Sequence, residues 1–493
     1  MKRILSILMC VALALTLTGS ALSESSDATP KYVFMFIGDG QGSPQINATQ
    51  YYLGTLANPG AAIPKPAQLS FTGFPYVGIM TTYDATSFCP DSASTATSMA
   101  SGNKTLSGVI NYNIDKTESF KLITEYAKEQ GKKVGVLSSV SIDHATPAAY
   151  YAKAVSRSMY YDIAVQGLSG QTLDFVGGGG YLQPTGAAGD QPALTDIAIE
   201  NGFTIASTND EIRALNADSG RVLAVVPDPD GSKAMQYEID RQRIESAGGD
   251  SLSLSEMTQK AIDTLYGDDG FFLMVEGGKV DWSCHANDAK TSILETIAFS
   301  DAVNAALEFA SAHPDETLII VTGDHETGGL TIGFATTAYD THFDYLAAQD
   351  ISYADFDKVI AQLRDSGASF EQALAEIEAR FGLTQTPDTG LSLTEEELAK
   401  LEAAYELSMT PSAERVIGKS EALAYGGYEP LSMACCHILN NKAGIAYTSY
   451  AHTGLQIPIY AYGVGAASFS GSYDNTDIFF KTMDAMGVEA DAI

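Results

Sequence analysis

Five stretches of the chain set residues able to hold a cation beside short apolar runs. "GDGQG" places Asp39 after Tyr32–Ile37, and "SIDHATPAA" places Asp143, His144 and Thr146 after Val134–Val140. "EGGKVDWSCH" places Glu276, Asp281 and His285 after Phe271–Val275. "GDHETGG" places Asp324 and His325 after Thr317–Thr322, and "SYAHTG" places His452 just before Ile457–Gly463. One Asp-Gly turn means little. Yet the chain has only seven histidines, and four of them fall in these stretches. The others, His313, His342 and His437, have no acid–glycine context and read as structural. So many carboxylates and imidazoles at one edge would repel one another unless cations sat among them. Mixed Asp/His ligation suits zinc, whereas an all-oxygen set such as Asp39, Thr146 and Glu276 suits magnesium. Asp281 and His285 are four apart, so a helix there would put both on one face.

A sixth stretch, "CPDSASTATSMASG" (Cys89–Gly102), crowds hydroxyls among alanines. It reads in two ways. One is a polar loop entering a helix, with Asp91 or Ser92 as N-cap. The other is an anion site, in which Ser92 faces the unpaired N–H groups of a helix start.

These residues need a scaffold that carries them to one place. The apolar runs are rich in β-branched residues and do not alternate, which favours parallel strands covered on both faces. Helical patterns precede three of them: "SFKLITEYAKEQGK", "LSEMTQKAIDTLYG" and "SDAVNAALEFASAH". The expectation is an α/β protein, a three-layer sandwich around a large, mostly parallel sheet. In such sheets ligands bind at the carboxyl ends of the strands. Residues 336–440 break the alternation with a mainly helical insertion, either a cap over the site or a structural annex. It contains two capping boxes, Ser369-x-x-Gln372 and Thr394-x-x-Glu397.

The chain has 493 residues, 45% of them hydrophobic, enough for a large core. It carries 28 basic and 61 acidic residues, a formal charge of -33. That surface repels nucleic acid and anionic membranes, which excludes both as partners. Residues 1–23 have a basic head, an apolar run and small residues after it, the pattern of a cleaved signal peptide and a secreted or periplasmic protein. No other segment is expected to span a membrane. With Cys10 removed, Cys89, Cys284, Cys435 and Cys436 remain, and the sequence assigns no disulfide among them.

Together the motifs "IGDGQG", "PDSASTATSMASGNKT", "HATPAA", "VSRSMYY", "SLSEMTQKAID", "FFLMVEGGKVDWSCH", "VTGDHETGG" and "AHTG" resemble the alkaline phosphatase family, in its order, over residues 31–335 and 441–493. The resemblance implies hydrolysis of small phosphate monoesters, with Ser92 as nucleophile. It implies one zinc held by Asp281, His285 and His452, and a second held by Asp39, Asp324, His325 and Ser92. A third metal, usually magnesium, would be held by Asp39, Thr146 and Glu276. Arg157 in "VSRS" would clamp the phosphate, with Asp91 orienting it. His144 stands where some members have an aspartate near the third metal, so that site would also be open to zinc. Trp282 stands where some members have a lysine. Members are often homodimers. A phosphodiesterase of the same superfamily is the nearest alternative, and a non-catalytic secreted metal-binding protein a further one. A sulfatase is disfavoured, because "CPDSA" lacks that family's spacing of proline and arginine after the nucleophile.

Overall fold

The computed structural model describes residues 28–489, so the proposed signal peptide lies outside the described residues. Strands β1 (Tyr32–Gly38), β2 (Tyr76–Thr81), β3 (Lys133–Ser138), β4 (Phe175–Gly178), β5 (Phe203–Ala206), β6 (Arg221–Val225), β7 (Phe271–Glu276) and β8 (Thr317–Gly323) enter one sheet in chain order. Two short pairs follow: β9 (Glu326–Thr327) with β12 (His452–Thr453), and β10 (Thr331–Ile332) with β11 (Ile445–Ala446). The large sheet is completed by β13 (Ile457–Gly463) and β14 (Gly471–Asp474), in the order β14-β2-β13-β8-β1-β7-β3-β4-β6-β5.

All five apolar runs are strands, within two residues of the expected bounds. The sheet is mostly parallel, as expected; β13 is the exception, pairing antiparallel with both β8 and β2. The reversal has a consequence for the site. His452 precedes its strand rather than following it. Because β13 runs backwards, its amino end lies at the edge where the other strands end. Hydrophobic periodicity carries no information on strand direction, so the reversal was not legible in the sequence.

Every residue of β1 is buried, and its side chains alternate between two apolar layers. Val33, Met35 and Ile37 meet Ala93, Ala96 and Ala100 of the Ser92–Ser101 helix on one face. Tyr32, Phe34 and Phe36 meet the Leu254–Leu265 and Ala289–Ala312 helices on the other. The sheet is thus the middle of a three-layer sandwich. Each large apolar side chain buried in it contributes about 1.5–3 kcal/mol. The Ala289–Ala312 helix starts eleven residues before the expected "SDAVNAALEFASAH" because Asp288 caps it, accepting from the Thr291 amide at 3.1 Å.

Residues 336–440 hold five α-helices, the last continuing to Ala443: Tyr353–Ser366, Phe370–Phe381, Glu395–Ser408, Lys419–Tyr425 and Pro430–Ala443. Both capping boxes form. This region has its own apolar core, including Phe356, Phe381, Leu401 and Leu439, which packs on Ala48, Tyr52, Ala289 and Ile293 of the sandwich helices.

Candidate metal centre and serine

Asp39 follows β1, and the turn there depends on glycine. Gly40 has φ +75°, and a Cβ on it would stand 2.7 Å from the Asp281 backbone and 2.9 Å from the Thr327 hydroxyl. The bare α-carbon lets the turn after β1 touch the helix after β7. That helix, Lys279–His285, sets Asp281 and His285 on one face, with His285 Nε2 3.3 Å from Asp281 Oδ2. His452 reaches the same carboxylate from β12, its Nε2 3.5 Å from Asp281 Oδ1 and 3.1 Å from His285 Nε2. The other ring nitrogens are anchored: His285 Nδ1 donates to the Tyr450 carbonyl and His452 Nδ1 to the Pro90 carbonyl, each at 2.6 Å. Such bonds fix the tautomer and leave Nε2 free for a cation.

Beside this group lie Asp39, Asp324 and His325. His325 Nε2 is 3.4 Å from Asp39 Oδ1 and 3.2 Å from Asp324 Oδ2. Ser92 Oγ is 3.2 Å from the same nitrogen. Ser92 is the first residue of its helix. Asp91 is the N-cap, accepting from the Ser94 amide at 3.1 Å, so the N-cap and anion-site readings are compatible. The far Asp91 oxygen takes Arg157 Nη1 at 2.9 Å, while Arg157 Nη2 donates to His144 Nε2 at 3.2 Å. The guanidinium fork is therefore held from both sides beside the serine.

The third group is Asp39, His144 and Glu276, whose ligand atoms lie within 4.8 Å of one another. Thr146 Oγ1 donates to Asp39 Oδ2 at 3.0 Å, and Ser138 donates to Glu276. His144 also meets Trp282 edge to face, 5.7 Å between ring centres. The structure thus brings together every site residue expected from the sequence. Asp143 is the exception among the strand-end residues: it turns away and accepts from the Leu182 amide at 2.9 Å.

The charge in this pocket does not balance. Burial, reinforced by the Asp324 and Asp281 charges, pushes Asp39 well above the carboxylate range. Burial lifts Glu276 to about 8 and Asp324 to about 6, again with neighbouring carboxylates adding. Asp281 goes the other way, because His285 and His452 outweigh its burial, and His285 rises to about 9 in return. Burial and the Arg157 charge hold His144 neutral, down to about 3. Asp39 Oδ1 and Glu276 Oε1 are buried without a hydrogen-bond partner. Buried acceptors without donors, among carboxylates that repel one another, are what a cation would satisfy. The donor sets fit: each group mixes imidazole with carboxylate, Asp281 with His325 and His452, Asp39 and Asp324 with His325, and Asp39 and Glu276 with His144, and Thr146 adds an oxygen beside the third.

Residues beyond the sequence reading also serve the site. Thr95 donates to Asp324 Oδ2 at 3.0 Å and Thr327 to Asp281 Oδ1 at 2.5 Å. Both lie inside motifs already singled out. Their roles depend on contacts between distant segments, which spacing does not reveal.

A three-layer α/β fold with carboxylate–histidine groups beside a serine defines a metal-dependent hydrolase. The family model described as Alkaline phosphatase matches residues 30–178 and 183–488. Alkaline phosphatase 4 of Bacillus subtilis is 31% identical over 481 residues, spanning 94% of this chain and 92% of its own. The human tissue-nonspecific isozyme is 29% identical, over 62% of this chain and 64% of its own. The cold-active alkaline phosphatase of a psychrophilic Shewanella superposes with TM-score 0.74 at 27% identity, covering 92% of this chain and 99% of its own. The chain belongs to the alkaline phosphatase family and is a phosphatase.

Proposed function

We propose that this enzyme hydrolyses small phosphate monoesters through a phosphoserine on Ser92. Asp281, His285 and His452 would hold one zinc; Asp39, Asp324, His325 and the Ser92 hydroxyl a second. Asp39, Thr146 and Glu276 would hold magnesium, with His144 beside them. The bound ions supply Lewis acidity, lowering the cost of negative charge on attacking and leaving oxygens.

The protein's own residues do the rest. The Arg157 fork, aimed by Asp91, accommodates two phosphoryl oxygens. Ser92 Oγ forms a bond to phosphorus as the ester P–O bond breaks. The serine proton passes to solvent, and the alcohol leaves after taking a proton. Water then attacks the phosphoserine, restoring the Ser92 hydroxyl and releasing orthophosphate. The helix start behind Ser92 offers unpaired N–H groups that favour the anion throughout.

The observation that carries this reading is the placement of Ser92, 3.2 Å from His325, next to the Asp91–Arg157 pair. For the third metal, structures of the TAB5 Antarctic enzyme with a histidine changed to glutamate or aspartate contain bound magnesium. We assign His144 the corresponding part here: a neutral nitrogen where a carboxylate would hold magnesium more firmly. Secretion or a periplasmic location follows from the reading of residues 1–23, and a homodimer from the family resemblance; among the described residues no helix is long and apolar enough to cross a membrane.

The test is turnover of a simple aryl phosphate against its diester, with and without chelator. Fast monoester hydrolysis, lost on chelation and restored by zinc, is expected. Faster diester hydrolysis, or chelator-resistant turnover, contradicts the proposal.

A further inference from the structure

Glu326 is a fully buried carboxylate next to His325 in the chain, yet it belongs to none of the three candidate metal groups. All its acceptor capacity is used. Oε1 takes Gln45 Nε2 at 2.8 Å and the Leu330 amide at 3.1 Å. Oε2 takes the Gly329 amide at 3.1 Å and the Thr453 hydroxyl. Gln45 is itself oriented, since its Oε1 accepts from the Gly42 amide and its Nε2 also reaches the Thr327 carbonyl, both at 3.0 Å. Gly42 leaves the room: a Cβ there would stand 2.8 Å from Glu326 Cγ.

These four donors come from three separate parts of the chain. They are the Ser43–Ala57 helix, the turn after β9, and β12. Glu326 pairs with Thr453 across β9 and β12; His325 directly precedes β9, and His452 is the first residue of β12. The rings of His325 and His452 lie 3.6 Å apart at 21°. Anything that moves β12 against β9 moves one imidazole against the other.

We infer that Glu326 is a positioning residue that sets the separation of His325 and His452, and with it the zinc affinity of the two groups they serve. The inference rests on the metal reading proposed above. A carboxylate is required there, because only an ionised acid offers two acceptor oxygens and no donor. Glutamine has the same shape but would turn an NH2 toward a backbone N–H whichever way it flipped, toward Leu330 or toward Gly329. Thr453 can rotate to accept; a backbone amide cannot.

The experiment is a zinc titration of chelator-stripped protein against a competing chromogenic chelator. Wild type, Glu326→Gln and Thr453→Val are compared, with metal-free thermal melts and magnesium titrations alongside. Glu326→Gln is expected to bind zinc about 10–100-fold more weakly, the range for residues that support metal ligands. Thr453→Val should show a smaller loss in the same direction. Magnesium affinity should stay near wild type, and the metal-free melting temperature should fall only modestly, by the cost of one buried donor left unpaired. Unchanged zinc affinity in Glu326→Gln overturns the inference, while two-zinc uptake by wild type leaves the metal reading standing. A parallel fall in zinc affinity, magnesium affinity and melting temperature overturns it too, since that would mark a general structural role. Should Glu326→Gln fail to fold, unchanged zinc affinity in Thr453→Val is decisive against it. A wild type that takes up no zinc removes the metal reading and this inference together.

Discussion

The sheet edge and the 336–440 helices bury charge in opposite ways. Among the helices, most charges that leave the surface meet an opposite charge or a hydroxyl nearby. Arg415 pairs with Glu429 at 2.8 Å, Lys442 with Glu397 at 2.8 Å, and Asp357 takes the Ser432 hydroxyl at 2.5 Å. At the edge, Asp39, Glu276, Asp281, Asp324 and Glu326 crowd together, all buried, and the adjacent guanidinium of Arg157 is already paired with Asp91. Two of their oxygens have no hydrogen-bond donor. The first region is nearly balanced as folded: Glu429 Oε1 and Arg380 Nε lack hydrogen-bond partners, but each side chain sits in an ion pair. The second keeps buried carboxylate oxygens without donors, an imbalance that bound cations would relieve. Unbalanced buried charge of one sign marks the place where chemistry is done.

The comparison can be broken most directly at Ser92. Ser92→Ala should reduce turnover by on the order of 10³-fold or more, because no covalent intermediate can form. Zinc content should stay near wild type, since Asp39, Asp324 and His325 remain; a variant with near-normal rate contradicts the assignment. Arg157→Ala should come next. It removes a charge-assisted contact, weakening inhibition by inorganic phosphate by about 1.5–3 kcal/mol. Inhibition at the wild-type constant would rule out the clamp.

His144→Asp sharpens the contrast by adding a further negative charge to the edge. It should raise magnesium affinity by roughly tenfold and make activity more dependent on added magnesium. Equal magnesium affinity in the two proteins, by titration after stripping, would show that His144 only packs.

The smallest effect belongs to the helical region. Burial lifts Asp357 to about 7, with Glu429 adding and Arg415 opposing. The folded protein therefore prefers the protonated acid. Stability from this group is full below its unfolded value of about 4 and is lost as pH rises through about 7. Asp357→Asn should flatten the fall in melting temperature over that window by a few degrees at most. Identical slopes for the two proteins would place the titration elsewhere.

Much of this arrangement was legible in the sequence, for physical reasons that also explain the gaps. β1, β3, β7 and β8 are buried on both faces, so they stand out as uninterrupted apolar runs. β2 alternates between exposed and buried, β5 has only four residues, and neither produced such a run. The reversed direction of β13 depends on pairing across the chain. Ligand-type residues were visible because His is scarce and Asp-Gly turns end strands. Glu326 and Thr327 were quoted within "GDHETGG" but not separated from it, since their partners Thr453 and Asp281 lie 127 and 46 residues away. The close packing behind Ser92 was readable from its alanines, whereas the grip on Arg157 joins residues 66 apart.

The measurement that bears most directly on the central claim is covalent trapping. The zinc-loaded enzyme is incubated with labelled phosphate, quenched in acid and digested, and the labelled peptide is sequenced. The account predicts one label, on Ser92 in the peptide containing "CPDSASTATSMASG", and none in Ser92→Ala. Label on any other residue, or a Ser92→Ala protein that still takes label, would contradict it.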